Sequence, residues 1–67
     1  MTISQLAQIA VEEDRVVNIS CPVFTEHGYH VRLAPDDTPV LVQGHQVLAG
    51  GELKTRSLAK DDWFEVK

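Results

Sequence analysis

The chain has 67 residues, with six Lys or Arg against ten Asp or Glu and a formal net charge of -4. That length accommodates one small domain, residues 1–67, and excludes a multidomain enzyme or a large active-site barrel. Apolar residues make up 43% of the chain, enough to build a core, which argues against disorder.

The first predicted element is a helix over residues 2–13. Ile3, Leu6, Ala7 and Ala10 recur at helical spacing, and Ile9 widens the stripe. Thr2 or Ser4 can cap its start. Glu12, Glu13 and Asp14 crowd its far end, where the helix dipole disfavours negative charge, so the helix is expected to fray or stop by about Glu13.

From Arg15 the period changes to two. Val17, Ile19 and Cys21 alternate with Asn18 and Ser20, the pattern of a half-buried strand, and Pro22 marks its edge or break. Thr25-Glu26-His27-Gly28 has turn composition. Tyr29, Val31 and Leu33 then alternate with His30 and Arg32, giving a second strand in an antiparallel hairpin with the first. Pro35-Asp36-Asp37-Thr38-Pro39 is a loop.

Val40–Gln43 and Gln46–Ala49 flank Gly44-His45, and Gly at the first central position suits a type II′ turn. That register sets Val42 opposite Val47 and Leu41 opposite Leu48. One face then carries Val40, Val42, Val47 and Ala49, the other Leu41, Leu48, Gln43 and Gln46. Gly50-Gly51 ends the hairpin. Leu53 to Leu58 reads as extended, Lys60-Asp61-Asp62 as a turn, and Trp63 to Val66 as a short strand in preference to a helical turn. The expected fold class is α+β: an N-terminal helix followed by a small antiparallel sheet of four to six short strands, covered by the helix on one face or curled into a small barrel.

Few residues invite chemistry. Cys21, His27, His30 and His45 are the soft or imidazole side chains apart from Met1, and a structural zinc site needs four such ligands in tetrahedral array. His27 and His30 fall on a turn and a strand, where a spacing of three does not align them. No second cysteine makes a Cys-x-x-Cys pair. Cys21 continues the Val17–Ile19 alternation and reads as a small buried hydrophobe rather than a nucleophile. No Gly-rich phosphate loop or nucleophile motif is present. We therefore expect no catalytic residues, no metal and no cofactor.

The bulk composition narrows partners and setting. A domain of this size buries only about 60% of the surface its unfolded chain exposes, and such chains often recruit a staple: disulfides, a metal or a partner subunit. With a single cysteine no intrachain disulfide forms, which fits a reducing compartment. No secretory signal pattern and no membrane-length apolar run is visible, so the expectation is cytoplasmic, with self-association as the missing staple. Arg15, Arg32, Lys54, Arg56, Lys60 and Lys67 are scattered, which argues against nucleic-acid binding.

The function expected from these features is that of a small non-enzymatic interaction module, dimeric or bound to a protein partner. Its interface candidates are Leu41 and Leu48, taken as the outer face of the second hairpin, and Trp63 and Phe64, whose adjacency in a strand sends one of them out of the core. One alternative is an acidic inhibitor or regulator of a nucleic-acid-binding protein, which requires Asp36, Asp37, Asp61, Asp62 and Glu65 to converge. The other is a small metal-binding domain built on Cys21 and the three histidines.

Overall fold

The computed structural model describes residues 1–48 and 58–66. Helix α1 spans Ile3–Glu13 and begins with a capping box. The Gln5 backbone N–H donates to Thr2 Oγ1 at 3.2 Å, and the Gln5 side-chain oxygen accepts from the Thr2 N–H at 2.9 Å. Two of the helix's orphan donors are thereby satisfied. Thr2, not Ser4, is the cap.

The stop at Glu13 has a geometric cause. Asp14 takes the left-handed conformation at φ 50°. The Arg15 N–H donates to the Ala10 carbonyl at 3.1 Å and the Asp14 N–H to the Val11 carbonyl at 3.3 Å. This pair of bonds is a Schellman closure, normally given to glycine because a Cβ crowds the left-handed well. Asp tolerates that well better than most residues. Its carboxylate nevertheless sits at the negative end of the helix dipole.

Strand β1, Val17–Ser20, follows, and then a short helix α2, Pro22–Glu26, where the sequence suggested only a strand break and a turn. Pro22 stands at the first helical position, where its missing N–H costs nothing and its fixed φ suits the helix. The Thr25 N–H donates to the Cys21 carbonyl at 2.8 Å to close the helical turn. The expected turn survives at its end, where Gly28 adopts φ 74°. The remaining strands are β2, Tyr29–Leu33; β3, Val40–Gln43; β4, Gln46–Val47; and β5, Phe64–Glu65. Gly44, at φ 60°, makes the β3–β4 turn while His45 keeps a negative φ, as the type II′ geometry requires.

The five strands form one antiparallel sheet in the order β4-β3-β2-β1-β5. Among the described residues it is open, with β4 and β5 as its edges, and not closed into a barrel. The chain is α+β, an N-terminal helix followed by this sheet. The expected extended segment Leu53–Leu58 lies outside the described residues except for Leu58, which has helical backbone. The strand choice for Trp63–Val66 is correct at Phe64–Glu65.

One sheet face packs on α1. Ile3, Leu6 and Ala10 meet Val17, Ile19, Cys21, Val31, Leu33 and Trp63, with Ala7, Ile9, Phe24 and Leu41 against them. Burying a Val, Leu or Ile side chain of this kind contributes about 1.5–3 kcal/mol. At the α2 end, the Phe24 ring meets Trp63 edge-on at 5.0 Å and Tyr29 at 5.9 Å. Trp63 is anchored on its backbone side as well, its N–H donating to the Met1 carbonyl at 3.0 Å. The Met1 amino group in turn donates to the Trp63 carbonyl at 3.0 Å, so Met1 lies alongside the segment leading into β5.

Two stability measurements follow. Asp14→Gly should raise stability by up to about 1 kcal/mol, since it removes the left-handed Cβ clash and the misplaced charge. In thermal denaturation this is a rise of roughly 4–8 °C for a domain of this size. Trp63→Ala should cost about 3–5 kcal/mol, the usual loss for a buried aromatic, and leave the chain largely unfolded near 37 °C by circular dichroism. An Asp14→Gly protein that melts lower would show that the carboxylate makes a favourable contact which outweighs the strain.

Candidate functional site

The pairing registers place each strand side chain on one of two faces. Val17↔Leu33, Ile19↔Val31 and Val31↔Leu41 define the face under α1. The opposite face is read from the intervening positions. Val47, Val42 and His30 are successive neighbours across β4, β3 and β2, and Ser20 and Phe64 are neighbours across β1 and β5. Continuing the β1–β2 register brings His30 beside Ser20, so these five residues form one row across the whole sheet. A second row holds Val40, Arg32 and Asn18, with Val66 beside Asn18, to whose carbonyl its N–H donates at 2.7 Å.

The expected Val42–Val47 pairing is present, and the Leu48 N–H donates to the Leu41 carbonyl at 3.0 Å, so those two are opposite as expected. Their assignment to the outer face is overturned. Leu41 pairs with Val31 and packs, half-buried, against the core under α1, and Leu48 shares that side. The reversal comes from the loop between β2 and β3. It sets Arg32 opposite Val40, and a strand shifted by one residue would present its other face.

Trp63 and Phe64 do point to opposite sides. Trp63 is 2% exposed in the core, whereas Phe64 is 44% exposed on the face away from α1. Val47 at 52% and Val66 at 41% accompany it. These two valines were not among the residues singled out from the sequence. A strand of two residues carries too little alternation to show which way Val47 points, and Val66 lies beyond the assigned end of β5.

One polar side chain of this face is tied into the fold. Ser20 is 2% exposed; its hydroxyl donates to the Tyr29 carbonyl at 3.1 Å and lies 3.0 Å from Thr25 Oγ1. Beside it is a shallow depression of about 220 Å³ lined by Ser20, Thr25, Gly28, Tyr29, His30 and Val66. Among the described strand positions facing away from α1 there is no carboxylate, and Arg32 and His30 are the basic side chains.

The carboxylates lie elsewhere. Asp36 and Asp37 follow the end of β2, beside the start of β1, because Leu33 pairs with Val17. Asp61 and Asp62 precede β5, at the other end of β1, because Phe64 pairs with Ser20. Glu65 accepts two bonds from Arg15, at 2.7 Å and 3.2 Å, and Arg15 also bonds Glu13 at 2.7 Å. These carboxylates push the guanidinium pKa further upward, Glu65 the most. Asp36 and Asp37 therefore lie at the opposite end of β1 from Asp61 and Asp62, and these five carboxylates, Glu65 included, do not gather on one surface.

Cys21, His27, His30 and His45 are not gathered either. Cys21 is fully buried in the core, His27 and His45 are exposed, and His30 is half-buried on the sheet face away from α1. Among the described residues no group of three or more His, Cys, Asp or Glu is arranged to hold a metal ion. No helix among them is long and apolar enough to cross a membrane.

No known protein family matches the chain, and no curated protein or solved structure does.

The burial of Cys21 makes a testable statement about its chemistry. A thiol in the core is inert to a water-borne disulfide reagent. Labelling of the native protein should be slower than labelling in denaturant by a factor of 100 or more, on the order expected for a core opening that costs several kcal/mol. Equal rates would place Cys21 at the surface.

Proposed function

We propose that the chain is a small non-enzymatic protein-interaction module that self-associates through the sheet face away from α1. The observation behind this reading is the apolar rim of that face: Val47, Phe64 and Val66 are each more than 40% exposed, Val47 on β4 and Phe64 on β5, the two edge strands of the described sheet, with Val66 directly after β5. From β4 to β5 the sheet spans four strand spacings, roughly 19 Å. Phe64 supplies the kind of aromatic anchor that dominates interface energetics.

Charge supports a second copy as the occupant. Two chains of net charge -4 repel one another, and they meet with least repulsion where neither presents a carboxylate. The described strand positions facing away from α1 carry no carboxylate. A partner subunit would also add buried apolar area to a domain too small to bury much by itself.

Sedimentation velocity over a concentration series tests this. The wild type should sediment above the mass of one chain, with the heavier species growing as concentration rises. Val47→Asp and Phe64→Asp each put a charge into the proposed contact and should weaken association at least tenfold, about 1.4 kcal/mol. Both sites are exposed in the single chain, so the emission of buried Trp63 should stay as in the wild type and certify the fold. A wild type that remains a single-chain species at several hundred micromolar overturns the proposal.

A further inference from the structure

We draw no further inference here: the strongest candidate, the shallow depression among Ser20, Thr25, His30 and Val66 on the sheet face away from α1, belongs to the surface already described, and its buried Ser20 hydroxyl already bonds within the fold to Thr25 and the Tyr29 carbonyl.

Discussion

Val17 and Ile19 of β1 have no solvent exposure, and they face a helix stripe of Ile3, Leu6 and Ala10 that is almost as dry. This seam orients everything around it. β1 is hydrogen-bonded on one side to β2 and on the other to β5, so the residues that face α1 from β1 fix which residues do so from both neighbours. Val31 and Leu33 follow from β2, and Trp63 follows from the approach to β5. Because strand side chains alternate strictly, this single choice also determines what the far side of the sheet carries.

The sheet edges are handled differently. On the β5 side, Met1 lies along the incoming chain and exchanges two backbone hydrogen bonds with Trp63. Arg15, whose N–H closes the Schellman motif of α1, reaches Glu65 with a two-pronged ion pair. Helix end and edge strand are thus tied to each other, at a surface site where such a pair adds more to geometry than to stability. On the β4 side the strand is only Gln46–Val47, and shortness itself limits what can pair with it.

The described strand positions of the sheet face away from α1 mix buried, basic and exposed apolar side chains. Its buried hydroxyl is spent on the fold, Arg32 is exposed and His30 half-buried, Val42 at its centre is buried, and Val47, Phe64 and Val66 are exposed at its rim. Chemistry at a small site needs converging ionisable groups held at hydrogen-bonding distance. The imidazoles, the thiol and the described carboxylates of this chain are instead distributed among turns, core and opposite ends of the sheet.

Local pattern was enough to determine several elements from sequence. The Ile3–Ala10 stripe, with Thr2 or Ser4 as its cap, defines α1, the alternation around Val17–Ile19 and Tyr29–Leu33 defines a paired β1 and β2, and Gly44 defines the β3–β4 turn and hence Val42 opposite Val47. In each case the signal lies within a few residues of its consequence. Helix α2 was missed because Pro22 has two meanings: it ends a strand and it also opens a helix, and only the surrounding backbone selects between them. Which face of the second hairpin meets the core was beyond local pattern altogether. Leu41 and Val42 are both apolar, so hydrophobicity is indifferent to which of them points inward. The loop from Ala34 to Pro39 decided it by setting the β2–β3 register, which turned Leu41 toward α1 and put Val42 and Val47 on the far face. Trp63 and Phe64 were legible as a pair pointing opposite ways. That Trp63 is the buried one followed only once Phe24 and Met1 closed around it from distant parts of the chain.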